Sequence, residues 1–224
     1  MTDAWVQLAR GGVVPTVESF CDNPSLVNTC EIVDKVLYRG SKLVNLQATE
    51  FAYDSNKFLQ SSGAILTDHN IVRTNYTWSL NNDLRQSDIW GGPHGTFFND
   101  LPSIPSSPKL ASITLKGASR LDSVSVTLRS GQTFTHGGSG GTASTLALAT
   151  GEYLTKATVC QAQKDNTTRI FYIAFTSSTG RLVQSGTKSG DCVDWIAETG
   201  FGVVGFVGAN GDEVDQLAVI YGRQ

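Results

Sequence analysis

Three stretches in the second half of the chain follow one plan. Ala118-Ser119-Arg120-Leu121-Asp122 leads into Ser123-Val124-Ser125-Val126, Gly151-Glu152-Tyr153-Leu154-Thr155 into Lys156-Ala157-Thr158-Val159, and Gly211-Asp212-Glu213-Val214-Asp215 into Gln216-Leu217-Ala218-Val219. Each is a small residue, three intervening positions, then Asp or Thr opening a strand-like run. An internal repeat constrains a fold more tightly than composition does, because each copy must be a supersecondary unit that cannot bury its apolar face alone. Glycine clusters at Gly91-Gly92-Pro93-His94-Gly95 and Gly137-Gly138-Ser139-Gly140-Gly141, with a looser set at Gly200, Gly202 and Gly205, punctuate the same region. Three related four-stranded units closing into a prism is the economical reading; the plainer one is that glycine and aspartate simply mark hairpin turns.

Glycine also divides the chain: residues 1–90 hold four and residues 91–224 the other nineteen of 23. The expected organisation is a β-rich module over residues 1–88 followed by a second domain over 89–224. In the first part Val72, Thr74, Tyr76, Trp78 and Leu80 alternate with Arg73, Asn75, Thr77 and Ser79, which predicts a strand with one dry and one wet face, Asn75 on the wet one. Val33–Tyr38 and Leu43–Phe51 are weaker strand candidates, and no segment there keeps a helical period. Aromatic residues from Trp5 to Trp78 imply a packed module, but one so small needs a neighbour or a Cys21–Cys30 bridge to steady it. The second part predicts strands at Ser112–Leu115, Val124–Leu128, Ile170–Phe175 and Val203–Val207, with the proline-rich run from Leu101 to Pro108 as a loop inside that domain. The fold class is all-β.

Seventeen basic against twenty acidic side chains give a net charge of -3, which lacks the footprint of a phosphate-backbone binder. The longest nearly uncharged apolar stretch, Phe201 to Ala209, is far below the roughly 20 residues of a membrane span. Nucleic acid and membrane insertion are therefore not expected. No G-x-S-x-G, H-E-x-x-H or P-loop pattern is present, and carboxylate pairs such as Asp83 and Asp88 are too common to indicate catalysis. The chain is read as a non-enzyme with no cofactor and no metal.

Cys21, Cys30, Cys160 and Cys192 lack paired CxxC spacing, and His69, His94 and His136 stand apart from them. Four cysteines allow three disulfide connectivities, of which Cys21–Cys30 with Cys160–Cys192 is favoured. Disulfides, together with the glycosylation acceptors Asn75-Tyr76-Thr77 and Asn166-Thr167-Thr168, place the chain in an oxidising, extracellular compartment. The absence of an apolar leader before residue 1 is what a processed secreted protein would show.

Gly91-Gly92-Pro93-His94-Gly95-Thr96-Phe97-Phe98-Asn99-Asp100, Thr135 to Gly141, Gly151-Glu152-Tyr153-Leu154 and Gly205 to Leu217, in that order, resemble the jacalin-related lectins over about residues 89–224. Most similar is the variant in secreted proteins of microbial eukaryotes, which also carries a cysteine pair placed like Cys160 and Cys192. The resemblance implies a β-prism I fold, three Greek-key sheets about a pseudo-threefold axis, binding a monosaccharide, glycan or polysaccharide at the loop end. It says nothing about residues 1–88, nor about oligomeric state, where a homo-oligomer is one option.

A pyranose offers hydroxyls that both donate and accept, so a compact site needs a carboxylate and backbone amides. The resemblance puts these at Gly211, Asp212, Glu213 and Asp215, with Gly95 adding an amide from the facing loop. Mannose or glucose type is expected ahead of galactose, which in the family accompanies a free amino terminus at the position of Gly95. Acidic Asp212 and Glu213 depart from the usual aromatic or small residues and remove an apolar wall. They also raise calcium as an alternative, without EF-hand spacing to support it. Asp122, with Gly138 and Ser139 opposite, marks a weaker second site, and Thr155 in the remaining repeat marks none. The competing reading is a glycan-targeted effector or toxin whose N-terminal module carries a separate activity.

Overall fold

The computed structural model describes residues 1–17, 20–31 and 33–224 and divides into two compact units, Met1–Asn81 and Asn82–Gln224.

In the first unit, strand β1 (Thr2–Asp3) pairs with β2 (Leu37–Tyr38) and leads directly into helix α1 (Ala4–Ala9). Asp3 caps that helix, its Oδ1 accepting from the amides of Trp5 at 2.9 Å and Val6 at 3.3 Å. At six residues the helix is too short to leave a periodic signal, which is why alternation and spacing did not predict it. It buries Ala4 and Trp5 in a cluster with Ala48, Phe51 and Tyr53 of β3 (Val44–Tyr53). β3 runs antiparallel to β4 (Val72–Leu80), from Val44 opposite Leu80 to Tyr53 opposite Val72. The alternation expected in β4 is only half used: Tyr76 packs on the cluster, but Trp78 is 69% exposed and Leu80 is exposed too. The Cys21–Cys30 disulfide is formed. Asn28, between the two cysteines, ties that loop to β3: its Nδ2 donates to the Phe51 carbonyl at 3.0 Å and its Oδ1 accepts from the Tyr53 amide at 3.1 Å.

The second unit contains three antiparallel sheets, two of four strands and one of five, each built on a central hairpin. Strands β5 (Leu84–Gln86), β6 (Trp90–Gly91) and β7 (Thr96–Asn99) come first, and β5 and β7 will edge the third sheet. Next, β8 (Leu110–Gly117) and β9 (Leu121–Leu128) form a hairpin flanked by β10 (Thr133–Gly137) and β11 (Thr142–Ala147). The second hairpin, β12 (Leu154–Lys164) with β13 (Thr167–Ser177), is flanked by β14 (Leu182–Gly186) and β15 (Asp191–Ile196). The third, β16 (Phe201–Asn210) with β17 (Val214–Arg223), lies between β7 and β5, with β6 also on β17. Inward-facing residues of all three hairpins, including Ile113, Leu115, Ile173, Phe175, Phe206 and Leu217, are fully buried and make one shared core. This is the expected β-prism. Cys160 and Cys192 lie opposite one another on β12 and β15 and are disulfide-bonded.

Two expectations need adjusting. The division between units falls at residues 81 and 82, not 88 and 89, because Leu84, Arg85 and Gln86 pair with Gly222, Tyr221 and Ile220. That edge strand precedes the rise in glycine, so composition does not see it. The threefold echo was also mis-phased in one copy. Asp122 and Asp215 follow the tight turns of their hairpins, whereas Gly151–Thr155 enters β12 at the opposite end of its sheet. There Glu152 gathers Ser177 Oγ (2.6 Å), Thr179 Oγ1 (2.6 Å), the Ala149 amide (2.9 Å) and the Arg181 guanidinium, a closed staple with nothing left to offer a ligand. In the second sheet the counterpart of the aspartates is Phe171, whose carbonyl accepts from Thr187 at 3.0 Å as those of Asp122 and Asp215 accept from Gly138 and Gly92, both at 2.9 Å.

Candidate functional site

The loop end of the second unit repeats one backbone arrangement. In the β8–β9 turn the Ala118 amide donates to the Arg120 carbonyl at 3.2 Å, and in the β16–β17 turn the Gly211 amide donates to that of Glu213 at 3.0 Å. Each turn delivers an aspartate at the second position of the following strand, and each aspartate sits under a glycine of a facing loop. Gly95 (φ +77°) and Gly141 (φ +68°) both have positive φ, and a Cβ on either would lie 2.5 Å from the Oδ2 of Asp215 or Asp122 respectively. Only glycine fits there, because any other residue would carry both backbone strain and a clash with the carboxylate. The sequence therefore brings Gly95, Asp212, Glu213 and Asp215 to one loop cluster and Asp122 with Gly137–Gly141 to a second. Gly138 also abuts the backbone of Asp212, so the clusters adjoin. Within the second cluster, a Cβ on Gly140 or Gly141 would meet the Asp122 carboxylate, at 3.2 and 2.5 Å.

Among the described residues, the amides of Gly95, Asp212 and Glu213 donate to no protein acceptor. Three donors are thus left beside one carboxylate. The carboxylates themselves differ between the clusters. Asp215 is 1% exposed and its Oδ1 accepts a hydrogen bond from Arg169 Nη1. Burial raises its pKa, while Arg169 and His94 pull the other way. Glu213 accepts from Arg120 through both oxygens, at 2.8 and 2.5 Å, and from Lys164 at 3.0 Å, with Arg169 Nε 3.5 Å away. The Arg120 pairing holds the Glu213 carboxyl down to about 2. The Asp122 carboxylate makes no hydrogen bond or ion pair among the described residues; burial, with the nearby Glu213, raises its pKa.

Arg120, Lys164, Arg169 and Phe171 were not picked out from the sequence. Lys164 and Arg169 belong to the β12–β13 hairpin, whose strands have 11 residues each against 8 in β8 and β9. The hairpin also touches the first glycine loop, Gln161 Oε1 accepting from the Gly91 amide at 3.0 Å. His136 is held by Asp100 (2.8 Å) and stacked on Phe98, and Asp100 Oδ2 accepts from the Phe206 amide at 2.8 Å. The acceptor asparagines are both exposed, Asn75 on β4 and Asn166 at the tip of the β12–β13 hairpin.

Residues 87–220 match the family model described as the jacalin-like lectin domain. Among solved structures, a mannose-binding jacalin-related lectin from Ananas comosus is 24% identical, with a TM-score of 0.54 over 63% of this chain and 99% of that one. A mannose-specific jacalin-related lectin from Morus nigra is 21% identical, with a TM-score of 0.55 over 63% and 96%. At these identities the likeness is one of fold. Sphingomyelinases from Mycobacterium bovis and Mycobacterium tuberculosis are 41% identical over 69 residues, 31% of this chain but only 14% of their own length.

Proposed function

The chain belongs to the jacalin-like lectin domain family, and from that premise we propose that its second unit recognises glycans or polysaccharides of mannose or glucose type at its loop end. The observation that carries this reading is the duplicated arrangement of a carboxylate under a positive-φ glycine at Gly95/Asp215 and Gly141/Asp122. A sugar's vicinal hydroxyls would donate to the carboxylate and accept from amides such as those of Gly95, Asp212 and Glu213. Asp122 with Gly140 and Gly141 is the second place for the same chemistry, and Phe171 leaves the third position without an acceptor. The mannose-binding character of the fold's relatives supports the choice of sugar. A glycan array on the full chain tests it: binding to mannose- or glucose-terminated glycans is expected, and binding to galactose-terminated glycans alone would overturn the specificity.

The two disulfides support an oxidising, extracellular setting, and the exposure of Asn75 and Asn166 supports their use as glycosylation acceptors. A second reading, in which the lectin unit targets a separate activity, is favoured by the 69-residue match to sphingomyelinases. Release of phosphocholine from sphingomyelin by the full chain would support it, and no release under conditions of glycan binding would remove it.

A further inference from the structure

We propose that Arg169 is an intramolecular occupant of the Gly95/Asp215 site: a saccharide enters only when the guanidinium leaves Asp215, and the resting chain recognises its ligand through Asp122. This rests on the carbohydrate-binding reading above. A guanidinium presents a planar fork of N–H donors, the same polarity that a pair of sugar hydroxyls would offer the carboxylate. Arg169 already fills that role on Asp215 Oδ1, and Asp215 is 1% exposed as a result of its surroundings. The hairpin that carries Arg169 is anchored on both sides of the site, by Gln161 on Gly91 and by Lys164 on Glu213. Tethered in this way, the occupant competes at high effective concentration with a free sugar, so the apparent affinity falls with the fraction of molecules in which the site is open.

The pseudo-equivalent site has the same turn and the same facing glycine but, among the described residues, no such occupant. Its neighbouring cation, Arg120, is turned to Glu213 through both carboxylate oxygens. The difference therefore lies in one side chain on an extended hairpin, not in the backbone that would hold a sugar.

Titration calorimetry of the full chain with methyl α-mannoside tests the assignment in the parent, Asp122→Asn, Arg169→Gln and the Arg169→Gln/Asp122→Asn double variant. Arg169→Ala is the fuller deletion, and Arg169→Gln, which keeps a neutral donor against the buried carboxylate, carries the test if the alanine variant does not fold. Asp122→Asn is expected to remove most binding, and adding Arg169→Gln should restore it by roughly tenfold or more, since a charge-assisted hydrogen bond no longer competes. A parent that binds, with a double variant no better than Asp122→Asn alone, would overturn the role of Arg169 and leave the lectin reading standing. Loss of binding in the parent and in every variant would overturn both.

Discussion

The Gly95/Asp215 and Gly141/Asp122 loops have nearly the same backbone and different electrostatics. Each presents a carboxylate oxygen under a glycine that no other residue could replace without strain, at the same 2.5 Å limit. One carboxylate is then closed by a cation from a neighbouring hairpin, and the other makes no hydrogen bond or ion pair among the described residues. The lesson is that a motif such as Gly211-x-x-x-Asp215 specifies where a carboxylate goes, and the surroundings specify whether anything else can reach it. The copy that departs from the glycine pattern, with Ala118 in place of Gly211, is the more available one.

The largest effect that would break this comparison is on binding. Asp122→Asn in the full chain is expected to weaken saccharide binding by about a hundredfold, by removing a charged acceptor, while Asp215→Asn changes it by less than about threefold. Equal losses in calorimetry would mean that both sites are open. The next effect is on stability and has the opposite order. Arg169→Ala strands a buried carboxylate and should cost about 3 kcal/mol in denaturant unfolding, whereas Asp122→Asn should cost less than about 1 kcal/mol because no partner is lost. Similar costs would show that Asp122 has a structural partner.

Acid should then separate the two clusters more gently. Glu213 has a depressed folded pKa, so the stability its pairing contributes is present above the ordinary value of 4.5 and is lost as pH falls toward about 2. Asp122 has a raised pKa and loses its charge above 3.8. Saccharide binding should therefore fade on acidification while the fold, followed by near-UV circular dichroism, persists. Binding that survives to the pH of unfolding would argue against Asp122 as the acceptor. The smallest expected effect is at the opposite end: Glu152→Gln should lower the melting temperature by several degrees without moving saccharide affinity, because its partners Ser177, Thr179 and Arg181 form a closed staple.

Much of this was legible in the sequence, for identifiable reasons. Alternation in Val124–Leu128 and the β-branched runs in Ile170–Phe175 and Val203–Val207 reveal strands because side-chain direction repeats every two residues. Gly95, Gly211 and Asp215 were singled out through the resemblance to the jacalin-related lectins, since a glycine loop and an aspartate after a turn do not by themselves say which ligand they face. The pairing of Arg169 with Asp215 joins residues 46 apart in sequence, and that of Arg120 with Glu213 residues 93 apart, so no local pattern carries either. The misplaced repeat at Gly151 has a similar origin: the aspartate copies open the second strand of their hairpins and Gly151–Thr155 opens the first, and only the ladder shows which strand a short motif leads into. Helix Ala4–Ala9 was missed because six residues capped by one aspartate complete too few turns to set a period.

The most direct test of the central claim, that two like-built loops differ in access, is an amide chemical-shift titration of the full chain with methyl α-mannoside. Shifts confined to Ser119, Arg120 and the Gly137–Gly141 loop in the parent, spreading to Gly95, Asp212 and Glu213 only in Arg169→Gln, are the result the account predicts. Shifts at Gly95, Asp212 and Glu213 in the parent with none at the Gly137–Gly141 loop would contradict it.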